Sequence, residues 1–413
     1  MNPYQKIYQK ARALQDETLR VAMELIRTPS FSSKEHDAVQ VLCREMEKIG
    51  LDEIRIDGLG SVIGRIGNGP RSIAFDGHVD TVYAGDRNQW SSDPFVPKIE
   101  HGKLWGRGSV DQKGGLAAML SAARIIKEFD LCQNHTVYFT GTVMEEDCDG
   151  LCWQHLIREE HLHPDAVVIT EPTNLYLYRG HRGRMEMDIE IRGRSCHSST
   201  PECGDNAVYK LARIALEIEK LDKRLVADAH LGKGSVSVTV ADSSSPSACA
   251  VPDGGILRLD RRLTRGETKD SAIAEVHDAI RRAGYNDATV SVPIYREAAY
   301  TGKVYPTEKY YPMWLLDEDS PFLKSAIDAF ESVFGNRPQA GIWGFSSNAV
   351  AVAGMHAIPC VVFGPGNELL AHTADEACEI GQLTSAAAFY ASLVAHLSGG
   401  IEHDVHNSIP GTL

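Results

Sequence analysis

Three short apolar runs in this chain each stop on acidic residues. Residues 72–75 run into Asp76-Gly77-His78-Val79-Asp80, residues 136–143 lead to Glu145-Glu146, and residues 166–170 end at Glu171-Pro172. Apolar runs of this length bounded by polar residues read as buried strands, and the carboxyl edge of an open α/β sheet is where such folds bind ligands. One acidic cluster would mean little, because a His-x-Asp is usually a surface turn and adjacent glutamates usually a solvated face. Three clusters at three strand ends are different: carboxylates gathered at one edge repel unless a cation lies between them.

The rest of the chain supplies the helices such a sheet needs. Ile7, Ala11, Leu14, Leu19, Ala22, Met23 and Ile26 fall at helical spacing until Pro29, predicting one helix over 4–28. A second is expected over 34–49, ending at Gly50, then strands over 51–56 and 61–66 and a buried helix over 114–129. Gly58-Leu59-Gly60 and Gly67-Asn68-Gly69 lack the P-loop and dinucleotide-binding spacings and are read as hairpin turns. From residue 184 the texture changes to strand 185–191, helix 206–221, strands 235–240 and 255–263, helix 268–283 and strand 288–294, a ferredoxin-like β-α-β-β-α-β order. After a connector over 300–312, helix 321–334, strand 357–363 and helix 382–397 resume the first pattern. At about 150 residues per domain, 413 residues predict two or three domains. We read a discontinuous α/β domain, 1–183 with 299–413, and an inserted α+β domain, 184–298.

Composition removes several classes of function. With 42 Lys+Arg against 56 Asp+Glu, a net charge of −14 argues against a nucleic-acid partner. Nine cysteines, odd in number, behind an N-terminus without a signal-peptide pattern predict a reducing cytoplasm. The longest apolar stretches, such as 386–397, fall well short of the ~20 residues of a membrane span. Cys148 and Cys152 lack a second paired cluster and are read as ordinary thiols. There is no H-E-x-x-H helix and no G-x-S-x-G elbow.

The chemistry-bearing residues recur in order: Asp76-Gly77-His78-Val79-Asp80-Thr81-Val82, Gly106-Arg107-Gly108-Ser109-Val110-Asp111-Gln112-Lys113-Gly114-Gly115, Glu145-Glu146, Thr170-Glu171-Pro172 and His372-Thr373-Ala374-Asp375-Glu376. In these motifs, over nearly its whole length, the chain resembles the M20 family of metallopeptidases and deacylases, the group of acetylornithine deacetylase, succinyl-diaminopimelate desuccinylase and glutamate carboxypeptidase.

The resemblance implies a zinc-peptidase-like catalytic domain, a central mixed sheet flanked by helices, with the inserted domain as lid and dimerisation element. It implies two divalent ions, Zn²⁺ in the first place with Co²⁺ or Mn²⁺ as alternatives, bridged by Asp111. His78 and Glu171 complete one site and Glu146 and His372 the other, leaving Glu145 as general base. Asp80 would accept the His78 ring N–H, and a cis peptide would follow at Asp111-Gln112. His197, in Cys196-His197-Ser198-Ser199-Thr200-Pro201, would act in the neighbouring subunit of a homodimer, stabilising the oxyanion, and Asn206, in the same lid loop, would contact the substrate. Arg262, in Asp260-Arg261-Arg262, would grip a substrate carboxylate, with Arg261 facing away. Ser346 and Ser347 of Gly344-Phe345-Ser346-Ser347-Asn348 would line the substrate pocket. Cys249 stands where the family commonly has a substrate-positioning Asn, and a thiol does not reproduce an amide's donor and acceptor.

The function expected on this basis is hydrolysis of the amide of an N-acyl amino acid or related small carboxylate-bearing substrate, by a metal-activated water with Glu145 as base. Dipeptidase or carboxypeptidase activity is the alternative. Ureido hydrolysis is weighed lower because that branch has His where Glu171 stands. A non-catalytic metal-binding scaffold is weighed lowest, having no use for Glu145.

Overall fold

Alternation along the strands sorts this sequence onto two faces of a sheet. The computed structural model describes residues 3–399; residues 1–2 and 400–413, the outer ends of the two segments expected to form the α/β domain, lie outside them. Ile73, Phe75, Val168 and Val361 enter one apolar cluster, while their neighbours Ala74, Val167, Ile169, Cys360 and Val362 enter another. Successive strand side chains point to opposite faces, so both faces are covered and the runs read as continuously apolar.

Among the described residues nine strands form this sheet, ordered Glu53–Ile56, Val62–Ile66, His135–Thr142, Arg71–His78, Ala166–Ile169, Cys360–Val362, Tyr178–His181, Trp314–Leu315, with Gly341–Trp343 also against Tyr178–His181. The four strands from His135–Thr142 to Cys360–Val362 are parallel. Antiparallel partners flank them, making an α/β fold with a mixed central sheet. Helices Lys113–Glu128 and Ile380–Leu397 pack on one face; both are buried almost all round. Leu151–Arg158 and the π-helical Val350–Met355 cover the other with Trp153, Trp314 and Trp343. Each fully buried large apolar side chain contributes about 1.5–3 kcal/mol, and this two-sided burial holds the parallel strands in register.

Gly183–Arg192 carries Met185, Met187, Ile189 and Ile191 into a separate core with Leu257, Leu259 and helices Ala207–Arg224 and Lys269–Arg282. This second sheet is antiparallel, ordered Ser235–Ser244, Gly254–Leu263, Gly183–Arg192, Thr289–Ser291, with Tyr310–Tyr311 also against Gly183–Arg192. Ser235–Ser244 lies at its edge.

Two readings of local structure are corrected. The expected helix over 4–28 is two helices, Pro3–Ala13 and Gln15–Arg27, broken at Leu14. Gly67-Asn68-Gly69 is not a hairpin turn, because Val62–Ile66 and Arg71–His78 lie on opposite sides of His135–Thr142. No helix among the described residues is long and apolar enough to cross a membrane.

Candidate metal centre

The parallel strands end together, and their acidic termini converge. His78 closes its strand; Glu145 and Glu146 follow His135–Thr142, and Glu171 follows Ala166–Ile169. Asp111 and His372 arrive by another route. Strand Lys103–Trp105 pairs with Ala377–Glu379, so the loop leaving the first lies beside the segment entering the second. Glu376, fully buried, fixes them there: its carboxylate accepts from the N–H groups of Gly108, Val110 (2.7 Å) and Asp111 (3.0 Å) and from Arg107 Nη1 (2.6 Å). The Asp111-Gln112 peptide is cis.

His78 Nε2 lies 3.0 Å from Asp111 Oδ1, 3.5 Å from Glu171 Oε1 and 4.0 Å from Glu145 Oε2. His372 Nε2 lies 2.9 Å from Glu146 Oε2 and 3.2 Å from Asp111 Oδ2. Asp111 thus stands between the two imidazoles. Potential ligand atoms of His78, Glu145 and Glu171, and again of His78, Asp111 and Glu146, lie within 4.8 Å of one another. Electrostatics strain this crowding. Burial pushes the Glu145 and Glu171 carboxyls well above the usual range; burial and the Asp111 charge push Glu146 up to about 7. Hydrogen bonds to Asp111 and Glu146 raise His372 to about 10. For His78 burial opposes the charge, but Glu171 and Asp111 outweigh it and the ring is raised well above its ordinary value. Buried acids beside two imidazoles, His78 buried and His372 half-exposed, form the oxygen-and-nitrogen donor set that divalent cations take, so the residues fit a pair of such ions.

The glutamates 145 and 146 differ in surroundings. Glu146 pairs with His372 and accepts from the Val82 N–H (3.2 Å), whereas Glu145 meets His78 only at 4.0 Å. Their backbone is held from below: Met144 N–H donates to Glu35 Oε1 (3.0 Å), Glu145 N–H to Asp80 Oδ1 (3.2 Å) and Glu146 N–H to Asp80 Oδ2 (3.0 Å). The His78 Nδ1 hydrogen bond goes to the Asp80 backbone carbonyl (2.9 Å), with the carboxylate 3.5 Å away and engaged by the loop and the Ser32 hydroxyl.

The cleft above the cluster is lined by Arg262, by Phe345 and Ser346 of the 344–348 loop, and by Asp149, Arg184, Trp343 and Glu368, which sequence reasoning missed. Arg261 points away, 1% exposed, onto Glu267 and Glu275. Two expectations need correction. Ser347 is fully buried with its hydroxyl 3.4 Å from His181 Nε2, off the cleft wall. The Asn206 carboxamide oxygen caps helix Ala207–Arg224, accepting from Val208 N–H (2.9 Å). His197 is exposed, with Nδ1 2.8 Å from the Ser199 hydroxyl, and does not line this chain's cleft. Its neighbour Ser198 donates to the Cys249 carbonyl (2.9 Å), so residue 249 and His197 share one loop pair. Cys148 accepts from Tyr311 and Cys152 donates to Asn348, separate environments that form no paired site.

Comparison with known proteins agrees with the geometry. The sequence pattern of peptidase family M20/M25/M40 matches residues 74–396. The uncharacterized protein YgeY of Escherichia coli (strain K12) is 43% identical over 393 residues, 95% of this chain and 97% of that protein. A succinyl-diaminopimelate desuccinylase of Magnetococcus marinus is 26% identical over 392 residues, 91% of this chain and 97% of the enzyme. The Bacillus subtilis YXEP protein, described as a dinuclear metal-binding peptidase of the M20 family, superposes with a TM-score of 0.69 at 16% identity, covering 94% of this chain and all of that one. The family pattern over residues 74–396 and the 43% identity over nearly the whole chain place this chain in the M20 family of peptidases and related metal-dependent hydrolases, in agreement with the strand-end histidine and buried acids.

Proposed function

We propose that the chain is a di-metal amidohydrolase that cleaves the amide of an N-acyl amino acid or related small carboxylate-bearing substrate. The observation that carries this reading is the divergence of the two adjacent glutamates: Glu146 is engaged by His372, while Glu145, buried at the same cleft, lies 4.0 Å from the nearest imidazole nitrogen. His78, Asp111 and Glu171 would hold one ion and Asp111, Glu146 and His372 the other, Zn²⁺ being our assignment. When bound, the pair supplies Lewis acidity toward the amide carbonyl and eases deprotonation of water.

The chain's own groups then divide the work. Glu145 takes the proton of the attacking water on its carboxylate and delivers it to the leaving amine nitrogen. Arg262 orients the substrate carboxylate through its guanidinium. Ser346 lines the same wall. Residues 184–298 act as an inserted lid and dimerisation domain, and His197 reaches the neighbouring subunit's cleft to donate to the oxyanion. Support for a dimer comes from the free edge of strand Ser235–Ser244, with Val240 exposed on it and Val208, Tyr209 and Leu216 exposed on the neighbouring helix, since an exposed edge is a template for pairing. The nine unpaired thiols suit a reducing cytoplasm.

Deacylation is favoured over dipeptide cleavage by the relative named as a desuccinylase; the family's description as peptidases keeps dipeptides as the second reading. The test is product release from a panel of N-acyl amino acids and dipeptides with Zn²⁺, Co²⁺ or Mn²⁺. Glu145→Gln should lower kcat by about 10²–10⁴ while metal content stays unchanged. Equal turnover in both forms would overturn the assigned role.

A further inference from the structure

An alternating series of charges runs from the loop after the paired glutamates to the arginine proposed to grip substrate. Asp149, four residues beyond Glu145, is nearly buried and accepts from Arg184 Nη1 at 3.2 Å. Arg184 Nε lies 3.4 Å from Asp260 Oδ2. Asp260 accepts from Arg262 Nε at 2.8 Å and from Nη2 at 3.4 Å. Asp149, Arg184 and Arg262 all line the cleft. Two strands of the smaller sheet set the spacing, since Arg184 is the register partner of Arg262. The series is anchored on its far side: Arg184 Nη2 donates to Glu186 (3.0 Å), itself paired with Lys309 (3.1 Å), and the guanidinium lies over Tyr311, 5.7 Å to the ring centre.

We propose that Arg184 is a positioning residue that, by bridging Asp149 and Asp260, keeps Arg262 directed into the cleft and thereby sets the preference for substrates with a free carboxylate. The inference rests on the reading of Arg262 given above. The physical argument concerns Asp260. With Arg184 beside it, this carboxylate is shared by two guanidiniums and holds Arg262 closely at one nitrogen only. Without Arg184 its whole charge falls to Arg262, which closes into a bidentate pair and spends on Asp260 the donors a substrate carboxylate would use. Asp149, losing its partner, becomes an uncompensated buried charge beside the base loop.

The experiment compares kcat/KM for an N-acyl amino acid and for its C-terminal carboxamide, in the metal-loaded protein and in Arg184→Gln, Arg184→Lys, Arg262→Ala and the double variant Arg184→Gln/Arg262→Ala. Arg184→Gln should lower kcat/KM for the acid about tenfold, through KM, the scale of one charge-assisted contact. The carboxamide should change less than twofold, and Arg184→Lys should recover part of the loss. The double variant should show no more loss of carboxylate preference than Arg262→Ala alone, because residues in one series are not additive. Equal losses on acid and carboxamide, or additive losses, would overturn the proposal and leave Arg184 a structural ion pair. If Arg262→Ala leaves the preference intact, the reading of Arg262 fails and takes the inference with it. A normal Arg262 effect with no Arg184 effect overturns the inference alone. Should Arg184→Gln fold poorly, Arg184→Lys is read in its place: a single ammonium shares Asp260 less fully, and the acid should again lose more than the carboxamide, with equal losses on both overturning the proposal. If no substrate in the panel turns over, the same acid-to-amide ratio is read from binding by calorimetry, with the same outcomes deciding.

Discussion

The two sheets solve the problem of an exposed end in opposite ways. At the carboxyl edge of the large sheet the loops are held by buried acids. Glu376 gathers three N–H groups around Asp111, Asp80 holds Glu145 and Glu146, and Glu35 holds Met144. The edge of the small sheet is held more sparsely: most of Ser235–Ser244 is exposed, and beyond its one neighbouring strand it is tied to the helix behind it where Asp222 accepts from the Val236 N–H (3.0 Å). A carboxylate accepting several backbone hydrogen bonds fixes positions to fractions of an ångström, as metal ligands require. A half-paired strand leaves its free side to be defined by whatever docks there. The molecule is rigid where chemistry is set and open where assembly is proposed.

Breaking the rigid side should cost most. Glu376→Gln keeps the shape but leaves Arg107, 2% exposed, without its countercharge, and loss of one member of a buried pair costs about 3–5 kcal/mol. Chemical denaturation should report a loss of that size together with weaker metal retention; an unchanged midpoint would mean the loop does not depend on this carboxylate. An intermediate effect is expected at Glu35. Burial, then the nearby Asp80, raise its carboxyl from 4.5 to about 8. Between those values the folded chain binds a proton the unfolded chain has released, so this group's stabilising contribution is complete below pH 4.5 and is lost as pH rises toward 8. Glu35→Gln should flatten that decline in a plot of stability against pH, and a slope identical to that of the parent would contradict it. The smallest change in monomer stability belongs to the open side. Val240→Lys places a charge on the edge strand, where Val240 is 44% exposed, and should alter folding free energy by no more than about 0.5 kcal/mol. It should weaken dimerisation in sedimentation experiments; an unaltered dimer would move the interface elsewhere.

Much of the acidic edge is legible in the sequence because His78, Glu145, Glu146 and Glu171 sit at strand ends, and a strand end is a local pattern. The ferredoxin-like order over residues 184–298 is legible for the same reason, its helices being amphipathic. What escapes is what depends on distant pairing. Leu151–Arg158 is only eight residues long and buried over Leu151 to Ile157, too short a stretch for its helical period to stand out from the apolar run around it. The turn at Gly67-Asn68-Gly69 looks like a hairpin because nothing local shows that a strand from residues 135–142 lies between its two arms. Arg184 and Asp149 lie 35 positions apart, and neither stands in a recognisable motif. Asn206 and Ser347 were read as substrate contacts from the loops they belong to, whereas the structure employs one as a helix cap and the other against His181.

One carboxylate, that of Asp80, holds the N–H groups of both Glu145 and Glu146. Its two oxygens act as a clamp on consecutive peptide units, so the loop has no way to swing the base aside while leaving its neighbour in place. Whatever displaces the residue we propose as proton acceptor also displaces its neighbour, proposed as a metal ligand, so on that proposal proton transfer and ion binding are tied together by a single side chain at the foot of the loop.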